Sequence, residues 1–128
     1  MKKVLSLMMM LMLAIGAWAE TVTFADEGYS NGEAVESYEG TDFSVTFDKG
    51  TNSNAPKYYT TGAAIRVYGG NYFTVSSSTK TISKIEFTFA SGGGTNVLTS
   101  DVEAYEDGIW EGSSSAVTFT VSGTSGHL

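Results

Sequence analysis

Side chains able to do acid–base or nucleophilic chemistry are few in this 128-residue chain. There is no cysteine, and the one histidine, His127, is the penultimate residue. A Ser-His-Asp relay or an imidazole metal cluster needs a ring held in place, and a chain end is expected to fray. Without thiols there is no disulfide framework and no thiolate nucleophile. Carboxylates remain. Glycoside hydrolysis uses two of them at set separations across the scissile bond, and "DVEAYEDGIWEG" offers Glu103, Glu106, Asp107 and Glu111. However, Asp107-Gly108 is a hairpin-turn dipeptide, and acids beside such a turn are as a rule solvated. No catalytic residue is therefore assigned. Calcium is the one cofactor the sequence suggests. Asp26, Glu27, Asn31 and Glu33 bring four oxygen ligands into the loop "ADEGYSNGE", and hard cations take such oxygens from loops. The spacing is not that of an EF-hand, and an exposed acidic loop is the plainer reading. "SGGGTN" (91–96) lacks the lysine and the helix of a phosphate loop and reads as a strand connection.

The densest stretch is "APKYYTTGAAIRVYGGNYFTV", residues 55–75, with the only proline, the only arginine and four tyrosines. Tyr58, Tyr59, Tyr68 and Tyr72 supply flat amphipathic rings suited to stacking on sugar faces or peptide planes. Arg66 faces solvent or sits over an aromatic ring, and Asn71 follows the Gly-Gly pair. These six are the ligand-binding candidates. The competing reading makes them ordinary hairpin and core residues, since aromatics are common in strands. Pro56 suits a turn leading into a strand. "YGGN" reads as a hairpin joining "IRV" to "YFTV".

The elements that must hold these residues alternate with a period of two. Val22 and Phe24 share a face, as do Phe43, Val45 and Phe47; Ile65 and Val67; Phe73 and Val75; Ile85, Phe87 and Phe89; and Val117, Phe119 and Val121. Such alternation in β-branched and aromatic residues predicts half-buried strands. Ile82 is out of phase with Ile85, which predicts a bulge or strand start near Ser83. Gly-, Asn- and Ser-rich turns separate the runs. The reading is all-β: an antiparallel β-sandwich of jelly-roll or galactose-binding-like kind, with a barrel as the alternative.

"MKKVLSLMMMLMLAIGAWAE" has a charged start, an apolar run and Ala17-Trp18-Ala19, which is the pattern of a signal peptide over 1–19. The expectation is a secreted or periplasmic protein, cleaved near Ala19, whose single domain spans 20–128. All five methionines fall in the leader. Its loss leaves five basic residues against fourteen acidic ones, a formal charge of −9. That balance disfavours nucleic acid, whose binding rests on cationic contacts, and no membrane insertion of the cleaved chain is expected.

Four runs carry a resemblance. Phe47 to Tyr59 follows F-x-K-G-x-x-x-N-x-P-K-Y-Y, and Ala64 to Val75 follows A-x-R-x-Y-x-x-N-x-x-T-(V/I). Lys80 to Phe89 follows K-x-I-x-K-I-x-F-x-F, and Trp110 to His127 follows W-x-G-x-x-x-x-V-x-F-x-x-x-G-T-S-G-H. In these the chain resembles a β-sandwich domain recurrent in exported proteins of gut and oral Gram-negative bacteria, found alone or appended to secreted hydrolases and nucleases. The resemblance implies a non-catalytic module that binds carbohydrate or a cell-surface ligand. The alternatives are a small carboxylate-dependent hydrolase and an accessory domain of a larger secreted system. The resembled family continues past Gly-His into an I-x-x-I-x-V strand. The expectation is therefore a sandwich without its last strand, with an edge exposed near Thr21 to Ala25 and open to strand-pairing with another chain.

Overall fold

The computed structural model describes the backbone of Lys3–Val4 and Met8–Met12 and all of residues 19–128. The leader expected over 1–19 lies otherwise outside the described residues. Among the described residues the only helical element is a single 3-10 turn at Phe24–Asp26, so none is long and apolar enough to cross a membrane. Fourteen strands are numbered in chain order: β1 (Lys3–Val4), β2 (Met8–Met12), β3 (Ala19–Thr23), β4 (Ser37–Glu39), β5 (Ser44–Asp48), β6 (Lys57–Tyr59), β7 (Ala64–Arg66), β8 (Tyr72–Ser76), β9 (Ile82–Phe87), β10 (Ala90–Ser91), β11 (Leu98–Ser100), β12 (Tyr105–Glu106), β13 (Ile109–Ser114) and β14 (Ala116–Val121). Two five-stranded antiparallel sheets, β11-β14-β8-β5-β4 and β12-β13-β9-β2-β3, make the layers of a β-sandwich. Two small ribbons, β6-β7 and β1-β10, complete the pairing.

Register explains why the alternating sequence folds this way. In the first sheet, Phe47, Phe73 and Phe119 stand opposite one another across β5, β8 and β14. Val45, Val75 and Val117 form the next inward row. Between them an outward row of Thr46, Thr74 and Thr118 is tied by a 2.8 Å Thr74–Thr118 hydroxyl contact. Moving any of these strands by one residue would exchange the rows, so the apolar set fixes the pairing. The second sheet answers with Val22, Ile82, Ile85, Phe87 and Trp110, all buried. Phe87 meets Phe73 and Phe119 edge-on, at centroid distances of 5.6 and 5.0 Å. Burial of each such side chain is worth about 1.5–3 kcal/mol.

Of the expected core residues, Phe89 alone is only half-buried. The ladder of β9 ends at Phe87, so Phe89 packs against the rim of the core. The irregularity expected near Ser83 is present across the ladder. Pairing advances two residues on β9, from Lys84 to Ile82, and three on β13, from Glu111 to Ser114. Asp107 and Gly108, at φ +49° and +84°, form the two-residue turn between β12 and β13.

Two expectations are corrected. "YGGN" does not join paired strands. β7 pairs with β6, whereas β8 pairs with β5 and β14, so Tyr68–Asn71 is a tight turn that carries the chain from a ribbon into a sheet. Nor does the C-terminus fray. Leu128 is buried and donates its N–H to the Val67 carbonyl at 3.0 Å, and Tyr68 and His127 form a bridge. The Asn96 amide holds the preceding loop by donating to the carbonyls of Ser122 (2.7 Å) and Ser125 (2.8 Å). Chain ends stay ordered when backbone groups and an apolar side chain tie them down.

Candidate functional site

The tyrosine-rich stretch divides between interior and surface. Tyr58 and Asn71 are interior and offer a ligand no face. Tyr58 packs on the Tyr29 ring at 5.7 Å. The Asn71 amide donates to the carbonyls of Lys49 (2.8 Å) and Asn54 (2.9 Å), while its oxygen accepts the Tyr68 N–H at 2.8 Å. It staples the 49–54 loop to the Tyr68–Asn71 turn, and Gly70, at φ +89°, makes that turn possible.

Tyr59, Arg66 and Tyr68 do come together. The hairpin β6-β7 sets Lys57 opposite Arg66, which puts Tyr59 on the diagonal. The Arg66 guanidinium carbon lies 4.6 Å from the Tyr59 ring centroid, a cation–π placement. The Tyr59 and Tyr68 hydroxyls are 2.9 Å apart. Burial, with the hydrogen bond and proximity of Tyr59, pushes the Tyr68 phenol up to about 12, while Arg66 pulls the other way. The cluster is closed on one side by His127, whose ring meets Tyr68 edge-on at 6.4 Å. Its two phenol hydroxyls satisfy each other, while the buried Arg66 Nε has no hydrogen-bond partner. Tyr72 stands apart and exposed, with its phenol raised chiefly by the charge of Asp48.

Two of the four calcium candidates, Asn31 and Glu33, brace the loop that contains them. Asn31 Oδ1 accepts from the backbone N–H (3.0 Å) and the hydroxyl (3.1 Å) of Thr60, and Glu33 Oε1 accepts the Ser30 N–H at 2.7 Å. Gly32 N–H and the Glu33 carbonyl pair with the backbone of Tyr58, which fastens this loop to β6. Asp26 ends the 3-10 turn and Glu27 follows it, both exposed. Among the described residues no three His, Asp or Glu side chains are placed to hold a metal ion.

A concave site forms where the sequence marks only connections. The 94–97 segment, the Asp107-Gly108 hairpin and the docked C-terminus enclose an open groove of about 750 Å³. That lies within the range typical of small-molecule sites. Phe89, Tyr105, Val97 and Leu128 supply its apolar lining, and Glu106 and Asp107 its acidic one. Val97 is 58% exposed. Tyr105 is the anchored element. Its ring packs on Phe87 (6.0 Å) and Phe119 (5.7 Å), and its hydroxyl oxygen accepts the Gly108 N–H at 3.1 Å. Burial pushes this phenol up to about 12, partly offset by that backbone bond. Trp110 Nε1 donates to the Val102 carbonyl at 2.7 Å and holds the segment before the hairpin. Aromatic planes beside carboxylates can stack on the apolar face of a sugar ring while accepting from its hydroxyls. Sequence spacing marks Glu106 and Asp107 as carboxylates beside a turn and not as the lining of a groove. Their convergence with Leu128 depends on the C-terminal loop folding back, which no local signal announces. Comparison with family models, with curated proteins and with solved structures finds no match to this chain.

Proposed function

We propose that this chain is a non-catalytic binding module, exported after loss of its leader near Ala19, that recognises carbohydrate at a cell surface or in its surroundings. The observation that carries the reading is the groove: concave, aromatic-lined, edged by carboxylates and mounted on a hairpin fixed to the core. The resemblance in the four sequence runs points the same way. Glu106 and Asp107 both line the groove, where they can accept hydroxyl donors from a sugar bound in it. Hydrolysis asks instead for two carboxylates facing each other across the bond to be cut.

The test is a glycan-array screen of the purified protein, followed by titration of any hit. Glu106→Gln and Asp107→Asn should each weaken binding about tenfold, the loss of one charge-assisted hydrogen bond. Tyr59→Phe, on the neighbouring cluster, should leave binding unchanged. Loss of binding in Tyr59→Ala with both groove variants intact would move the site to the β6-β7 face. Turnover of a polysaccharide, abolished in Glu106→Gln, would make the chain a carboxylate-dependent hydrolase.

A further inference from the structure

The second sheet contains a strand that the exported chain would not keep. β2 pairs antiparallel with β9, Met9 opposite Phe87 through Met12 opposite Lys84, and with β3, Met8 opposite Thr23 through Met12 opposite Ala19. β9 and β3 do not pair with each other, and β2 is what joins them in the sheet order. The whole of β2 lies in the segment whose sequence reads as a leader. A cleaved chain beginning at Glu20 retains β9 and four residues of β3.

Cleavage would leave β3 in place, because other contacts hold it. The Glu20 carboxylate accepts the N–H groups of Thr41 (2.6 Å) and Asp42 (2.8 Å). Gly40 gives it room, since a Cβ there would lie 2.8 Å from Glu20 Oε2. Val22 and Phe24 are buried, and Phe24 packs against Tyr29, Tyr38 and Phe47. β9 is held from its other side by β13. The two strands therefore stand apart by two interstrand steps, roughly 9.5 Å, with unpaired backbone groups facing one vacant position.

We propose that the exported domain is a strand acceptor: the slot between β9 and β3 takes an extended, uncharged, apolar segment of another polypeptide, antiparallel to both. This rests on the leader being removed. The occupant's chemistry is read from β2, whose sequence is Met-Met-Met-Leu-Met. Two backbone ladders would supply affinity and the apolar residues the selectivity. A second copy of this chain is disfavoured by its formal charge of −9 after cleavage.

The test begins with the full-length chain expressed in a bacterial host and the mass of the exported product. A product starting at Glu20 is then followed by hydrogen exchange, alone and with a lysine-flanked synthetic peptide of residues 6–14. The peptide should slow exchange of β3 and β9 amides at least tenfold and raise the Tm by about 5 °C. The same peptide with proline replacing Met9 and Leu11 should do neither. If the cleaved chain is unfolded, folding on addition of the peptide supports the proposal, and failure to fold overturns it. Protection of β3 and β9 without peptide overturns it as well, by collapse of the slot in a monomer or by self-pairing in a dimer. An intact mass retaining residues 1–19 removes the vacancy, and that result separates failure of the leader reading from failure of the slot.

Discussion

Asn71 shows how one residue can look like a ligand contact and act as a structural bolt. Beside Gly69 and Gly70 in a tyrosine-rich run, it has the setting of a recognition residue. Its partners lie 17 and 22 positions earlier, beyond the reach of any local pattern. Asn71→Ala would leave the Lys49 and Asn54 carbonyls and the Tyr68 N–H without this partner in a buried site. The expected loss is about 2–4 kcal/mol, measured as a lower denaturant midpoint at unchanged slope. Burial also sets the alkaline limit. Tyr68 and Tyr105 are both raised to about 12 from the ordinary phenol value of 10. A phenol whose folded pKa lies above its unfolded one keeps its proton longer in the native state. Its contribution to stability is therefore complete below pH 10 and is lost as pH rises from 10 through 12. Thermal midpoints should hold up to about pH 10 and then fall, in step with the tyrosinate absorbance. Tyr105→Phe should flatten part of that fall.

Among the elements, turns are less legible in the sequence than strands. Alternation located the inward residues of β5, β8, β9 and β14, because one buried face imposes a period of two. Asp107-Gly108 was legible too, since only residues tolerant of positive φ suit both turn positions. "YGGN" misled, because a turn dipeptide shows where the chain reverses but not which strand it then joins. Tyr68–Asn71 closes by its own Asn71 N–H to Tyr68 carbonyl bond of 2.9 Å and then enters another sheet. The groove was illegible for the same reason: three connections distant in sequence build it. The hairpin gives a direct test. Asp107→Asn should change stability by less than about 0.5 kcal/mol, because Asn also accepts this backbone. Gly108→Ala should cost about 1–2 kcal/mol, from positive φ. Its new Cβ would also lie 3.1 Å from the Phe87 carbonyl oxygen. Urea midpoints of the two variants, compared with the parent, check both. A folded Asp107→Asn protein also makes its binding loss interpretable as a lost contact.

At the scale of the whole molecule, no disulfide joins the two sheets, and the one ion pair among the described residues, Lys84–Glu86 at 2.8 Å, lies within β9. That pair is exposed enough to be worth little. Cohesion therefore rests on the aromatic contact between layers, and Phe119 is its centre. Its ring stacks on Phe73 at 5.4 Å within its own sheet and meets Phe87 and Tyr105 of the other edge-on, at 5.0 and 5.7 Å. It is fully buried. Phe119→Ala removes the ring from between the layers and opens a cavity where the sheets cannot close together without breaking the β14 ladders to β8 and β11. The expected cost is about 3–5 kcal/mol, a large share of the roughly 5–15 kcal/mol that such domains possess. Phe119→Leu keeps part of the volume and should cost less. Tyr105 also lines the groove, so the effect should reach the candidate site. Equilibrium unfolding should show Phe119→Ala far below Phe119→Leu, and the tyrosinate titration of Phe119→Ala should move toward ordinary values as Tyr105 loses its packing partner. A Phe119→Ala protein with parental stability would place the cohesion of the sandwich elsewhere.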